Sequence, residues 1–165
     1  MNDHLVSEFP PEVQAILTIM NDEGVAFNLH VFKTPAHRAS QAADLLGCSI
    51  GAVVKSLVFQ TRTTGMMVLV LVSGDNRADP QRLQQIYLEP VHPANPADVL
   101  EISGYPVGSV PPFGLAGEFP VVIDADLMNY PQVWAAAGSA HVLFGISPSD
   151  LIHLSGSQIV EIKLI

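Results

Sequence analysis

The chain has 165 residues, 48% hydrophobic and 14% charged, with a single cysteine and a formal net charge of −9. That length buries a core without disulfides or structural metal, and the composition excludes a disordered chain. Seven Lys plus Arg against sixteen Asp plus Glu argue against a broad basic footprint for DNA or RNA, because backbone binding neutralises phosphates. They leave room for a local contact with one end of a nucleic acid.

PPEVQAILTIMNDEG, residues 10–24, predicts a first helix: Val13, Ile16, Leu17 and Met20 recur at helical spacing, prolines open it and Gly24 closes it. VAFNLHVF, residues 25–32, alternates as a strand does. SQAADLLG, residues 40–47, predicts a short helix with Ser40 as N-cap and Gly47 as stop. A strand over roughly 53–60 and the apolar run MMVLVLVSG, residues 66–74, flank the turn residues 61–65 and predict a hairpin. DPQRLQQIY (79–87) and NPADVLEISG (95–104) share one grammar, Asp79 or Asn95 as cap and proline at the first helical position. A Pro/Gly-rich loop, residues 105–117, follows. FPVVIDADL (119–127) reads as a strand ending in acids, and VWAAAGSAHVLFGI (133–146) as two short strands around Gly138-Ser139. SPSDLIHLSG (147–156) is a capped helix, and QIVEIKLI closes the chain as a strand. Strands and helices mix without regular alternation, which predicts one α+β domain over residues 1–165.

No apolar run approaches the ~20 residues that span a bilayer. MNDHLVSEFPPEV lacks the basic-then-apolar pattern of a signal peptide. The expected location is the cytoplasm, with no membrane contact.

Lys55 stands inside GAVVKSLVF, residues 51–59, a stretch otherwise fit for a buried strand. Burying an unpaired ammonium is costly. Such a lysine is kept when it pairs with a carboxylate or phosphate, when it is catalytic, or when its stem packs on apolar surface and its head reaches water. Asp124 is a candidate partner, or with Asp126 a turn former after its strand. GYPVGSVPPFG, residues 104–114, packs three glycines and three prolines into eleven positions, a stiff loop suited to presenting backbone groups to a small polar ligand or to serving as a connector. Gly138-Ser139 reads as a bulge or turn. Histidines 4, 30, 37, 92, 141 and 153 show no metal-ligand spacing; His37 and His141 are the two that could line a cleft. Cys48 reads as a small buried residue.

Four of these features, in this order, resemble the YbaK family, also called the prolyl-tRNA synthetase-associated or insertion-domain family. They are SQAADLLG followed by the lysine of VVKSLVF; GSVPPFG, similar to the family's GxxxP loop; the FPVVID strand; and AGSAHVLFGISPSDL. The resemblance covers roughly residues 24–163. It implies a mixed, barrel-like β-sheet surrounded by helices, and an editing deacylase that hydrolyses the ester between a wrong amino acid and the 3′-terminal adenosine of a tRNA, most often tRNA for proline. Free-standing members act in trans.

The resemblance implies that Lys55 holds the terminal phosphate or the acyl-ester end. It implies that Gly108 and Pro112 present the loop to the aminoacyl group and the attacking water. Ser109, Gly138, Ser139, His37 and Leu143 are the further substrate-binding candidates. The substrate's own 2′-hydroxyl helps to position water, so neither metal nor cofactor is expected. In the subgroup that clears cysteine an acid stands at the place of Leu143, counted back from Asp150, so the pocket here suits alanine or another small aliphatic residue instead. A synthetase is an expected partner beside the tRNA acceptor end. Two rival readings are a non-catalytic module that binds a tRNA end or nucleotide, and a hydrolase of another small ester.

Overall fold

Val13, Ile16, Leu17 and Met20 share one face of a helix, Pro11–Asp22 (α1), and all four are fully buried. Full burial of such side chains contributes roughly 1.5–3 kcal/mol each. The structure is a computed structural model that describes residues 6–165; residues 1–5, His4 among them, lie outside it. After α1 come Phe27–Val31 (β1), Ala39–Leu46 (α2), a 3₁₀ turn at Ile50–Ala52, Val54–Thr61 (β2) and Met67–Ser73 (β3). Pro80–Tyr87 (α3), Val91–Pro93 (β4), Pro96–Ser103 (α4), Val121–Asp124 (β5) and a 3₁₀ turn at Ala125–Asn129 follow. Val133–Ser139 (β6), Val142–Ile146 (β7), Pro148–Ser155 (α5) and Gln158–Val160 (β8) complete the fold.

The strands form two sheets, β1-β7-β6 and β4-β2-β3-β5-β8. The first is antiparallel. The second is mixed: β2 pairs antiparallel with β3 and β4, while β3, β5 and β8 run parallel. The sheets meet at a single parallel bridge, Val53 to Trp134. This is an α+β domain of mixed sheets, as expected, but the sheets do not close into a barrel. The continuous apolar run of β3 is buried on both faces. Leu69 and Leu71 point into a cluster with α1, β6 and β7; Val68, Val70 and Val72 point into a second one with Leu83 of α3 and Ile162. A third, smaller cluster joins Phe32, Ala42, Ala43, Val53 and Leu143. No helix among the described residues is long and apolar enough to cross a membrane.

Three local expectations change. Helix α2 starts at Ala39, so Ser40 lies inside it; Arg38 holds the N-cap position, and Gln41 Oε1 accepts from the His37 and Arg38 N–H groups at 3.1 and 3.2 Å. The acid-ended strand stops at Asp124, because its Oδ1 accepts the Asp126 N–H at 3.0 Å and turns the chain into a 3₁₀ helix. Gly138-Ser139 sits in β6 at a register shift between Ala136 and Ser139, in line with the bulge expected there. The last strand covers only Gln158–Val160. Strand β4 is three residues long and ends in proline, too short for a periodic pattern to announce it.

Candidate active site

Strand topology brings three chain segments to one place. β3 and β5 are parallel, so Ser73 and Asp124 end them at the same edge of the sheet. β2 is antiparallel to β3, so its start lies at that edge too, with Val54 opposite Ser73 and Lys55 opposite Val72. The space beyond the carboxyl ends of parallel strands is where open sheets most often bind ligands.

A cleft of about 950 Å³ opens there. Residues 53–59 run along it, with Val99, Val110 and Leu143 supplying apolar wall. Arg38 and His37 from the start of α2, Lys55, and Asp75 and Arg77 from the loop after β3 supply its charged and polar groups. Arg38, Lys55 and Arg77 are three of the seven Lys and Arg residues of an acidic chain. Among the described residues, no carboxylate pairs with either guanidinium.

Lys55 is half-buried, and its Nζ donates to the main-chain carbonyl of Asn76. Burial pushes the ammonium below the ordinary lysine value, and the Arg77 cation pushes the same way; Asp124 and Asp75 oppose them. Of the two readings of Asp124, the turn former holds, its Oδ1 accepting the Asp126 N–H, and the ion pair with Lys55 does not form. Asp124 is almost fully buried and already engaged: its Oδ2 accepts the Ser73 N–H at 3.1 Å and the Asn76 amide at 2.8 Å. Asn76 Nδ2 also donates to Asp126 Oδ2 at 2.8 Å, and Lys163 Nζ donates to that same oxygen at 3.0 Å. Asp126 is held below the usual carboxylate range, first by the Asn76 amide and then by Lys163. The lysine thus meets the acids through Asn76. Two ammonium hydrogens of Lys55 are left for other acceptors.

Ser56, the next residue, also lines the cleft, and its Oγ is buried without a hydrogen-bond partner among the described residues. An orphaned buried hydroxyl costs free energy and is uncommon in native structures.

Of the residues singled out from sequence, Lys55, Gly108, Ser139, His37 and Leu143 line the cleft together. Gly108 has φ +94° and is exposed, and no atom lies within 4 Å of where a Cβ would stand; the backbone conformation, not space, favours glycine there. Ser109, Pro112 and Gly138 do not line it. Ser109 is buried and its Oγ donates to the Pro106 carbonyl at 3.2 Å, Pro112 is buried beneath the loop, and Gly138 is buried against the Tyr105 ring. His141 is also elsewhere, with Nδ1 3.1 Å from the Phe32 carbonyl. Ser56, Asp75, Asn76 and Arg77 were not anticipated. The DNR run at residues 75–77 was the available signal, three polar residues one glycine after a buried strand.

Residues 33–154 match the family model of the aminoacyl-tRNA editing domain. The chain belongs to this family. The matched span begins just before α2 and ends within α5, so it contains the whole cleft lining. Among curated proteins, the editing-domain chain is 30% identical over 128 residues to the uncharacterized protein YwhH of Bacillus subtilis, covering 78% of this chain and 81% of that one. It is 23% identical over 154 residues to the multifunctional Ser/Thr-tRNA deacylase ProXp-y of Escherichia coli K12, covering 91% and 92%. Among solved structures it superposes with a TM-score of 0.87 and 33% identity on a "putative trans-editing enzyme for prolyl tRNA synthetase", covering 95% and 99%.

Proposed function

We propose that this chain is a trans-acting aminoacyl-tRNA deacylase that clears a small, wrong amino acid from the 3′ end of a tRNA, with tRNA for proline as the first candidate. The observation that carries the reading is the placement of Lys55, Arg38 and Arg77 around one largely apolar cleft in a chain of net charge −9. Phosphates of a single-stranded acceptor end are the natural counter-charges for such a set. The apolar wall of Val99, Val110 and Leu143 suits a short aliphatic side chain. Apolar pockets discriminate by only about 1–3 kcal/mol per methylene, so several small amino acids are accepted.

In the proposed reaction, water attacks the ester carbonyl carbon, the bond to the ribose oxygen breaks, that oxygen takes one of water's protons, and the amino acid leaves as a carboxylate with the other proton released to solvent. Lys55 places positive charge where negative charge develops or where the terminal phosphate sits. Gly108 and its loop present backbone groups beside the acyl end. The substrate's own 2′-hydroxyl helps to hold the water, so positioning supplies most of the acceleration. The proposed chemistry uses no metal. The proposed setting is the cytoplasm, with a synthetase as the partner that supplies further tRNA affinity.

The test is ester hydrolysis on tRNA for proline mis-charged with alanine, cysteine, serine or 2-aminobutyrate. Clearance of at least one ester supports the reading, and the preferred acyl group defines the pocket. Binding of the charged tRNAs without hydrolysis of any overturns the catalytic part in favour of a binding module.

A further inference from the structure

Lys55 is anchored by a carbonyl, and that carbonyl belongs to a residue whose side chain is committed elsewhere. The Asn76 amide uses its two hydrogens on two carboxylates, Asp124 at the end of β5 and Asp126 in the following turn, both at 2.8 Å. Asp124 is fixed from a second side by the Ser73 N–H, and Asp126 by Lys163 from the C-terminal segment. The Asn76 N–H donates to the Ser73 carbonyl at 2.9 Å. Three hydrogen bonds therefore fix the residue that holds the lysine, and two more fix the carboxylates it is tied to. A main-chain carbonyl, unlike a carboxylate, orients an ammonium without neutralising it. It leaves the charge available to a substrate.

We propose that Asn76 is a positioning residue for the deacylation reaction: its side chain locks the loop after β3 onto Asp124 and Asp126, so that its carbonyl aims Lys55 into the cleft and the buried carboxylate is kept from capturing the ammonium. This rests on the deacylase reading for its catalytic consequence, but not for the placement of Lys55. The charged groups acting on Lys55 are Arg77 and Asp75 on the same loop and Asp124; Asp126 and Lys163 hold the far side of the Asn76 amide, and His37 and Arg38 line the same cleft. Asn76→Asp would remove both amide donors and add a fourth carboxylate to Asp75, Asp124 and Asp126.

The test has two arms on the full chain. In the first, without tRNA, the pH dependence of acetic anhydride labelling at Lys55 is followed by peptide mass spectrometry for wild type, Asn76→Asp and Asn76→Ala, with exposed Lys33 as internal reference. Asn76→Asp is expected to move the Lys55 titration to higher pH, because the added negative charge favours the ammonium. In the second, single-turnover and steady-state deacylation are compared. Both variants are expected to lose roughly ten- to a hundred-fold in kcat, the scale of a misplaced catalytic group, with KM changed far less. Asn76→Ala guards against an effect due only to the new charge, and thermal melts of each variant give the folded fraction. The proposal is overturned if Lys55 titrates in Asn76→Asp as in wild type, or if kcat falls only in proportion to the folded fraction. If wild type hydrolyses no ester, the deacylase reading fails by itself, and the labelling arm still decides whether Asn76 sets Lys55.

Discussion

Gly74 lies so close to Ile50 that a Cβ on the glycine would stand 2.2 Å from the Ile50 carbonyl oxygen. The Gly74 N–H also donates to the Val53 carbonyl at 2.8 Å. This contact seats the loop carrying Asp75, Asn76 and Arg77 against the strand that carries Lys55. The obstacle to a side chain is backbone, which cannot swing aside. Gly74→Ala is expected to cost about 1–3 kcal/mol, the range for overpacking, measured by urea unfolding. Turnover is expected to fall further than the folded fraction, because the loop is displaced even in molecules that fold.

Ser56 separates structure from function at a single atom. Its hydroxyl has no partner among the described residues, so Ser56→Ala removes a desolvated group without breaking a hydrogen bond. The variant is expected to be at least as stable as wild type in chemical denaturation and to lose kcat/KM for deacylation. A loss of stability with unchanged turnover would show that the hydroxyl serves the fold.

The proposed reaction uses Lys55 in its charged form, so the alkaline limb of activity is expected to belong to it; burial together with Arg77 lowers the pH at which that charge is lost. Acceleration over spontaneous hydrolysis is therefore expected to decline at a pH below the ordinary lysine value of ~10.4. Arg77→Ala is expected to shift the decline upward. For stability the sign is opposite to that of a salt-bridged lysine. Between the folded and unfolded pKa values the unfolded chain binds more protons, so this group's contribution to stability rises with pH across that window. pH–rate profiles and denaturation at matched pH check both.

Arg38 and Arg77 make a salt prediction. A protein contact to each single-strand phosphate contributes a slope of roughly 0.7 in log affinity against log salt. Replacing either arginine with alanine is expected to weaken binding of the charged tRNA and flatten that slope by about 0.7. An unchanged slope would remove that side chain from the phosphate-binding set.

Lys55 was legible in the sequence because a charge in an otherwise apolar strand violates a local rule. The caps at Asp79, Asn95 and Ser147 were legible for a similar reason: each obeys a local one, and each accepts from a backbone N–H at the start of its helix. Asn76 and Arg77 were hidden because their roles come from the parallel pairing of β3 with β5, strands separated by about fifty residues, and no local pattern encodes that closure. Ser56 was hidden because a serine in a strand is ordinary until its surroundings show that nothing satisfies it. Ser109, Pro112 and Gly138 were drawn towards the site by neighbouring motif residues. Within a tight loop or a bulge, adjacent residues point to opposite sides, and these three face inward to hold the framework.

The most direct test is single-turnover hydrolysis of the mis-charged tRNA for proline that wild type clears best, by wild type and Lys55→Ala, alongside the thermal melt of each. The account predicts a loss of about 10²–10³ in rate, the scale of removing one electrostatic stabiliser, with the fold retained. Undiminished hydrolysis by a folded Lys55→Ala protein would contradict it.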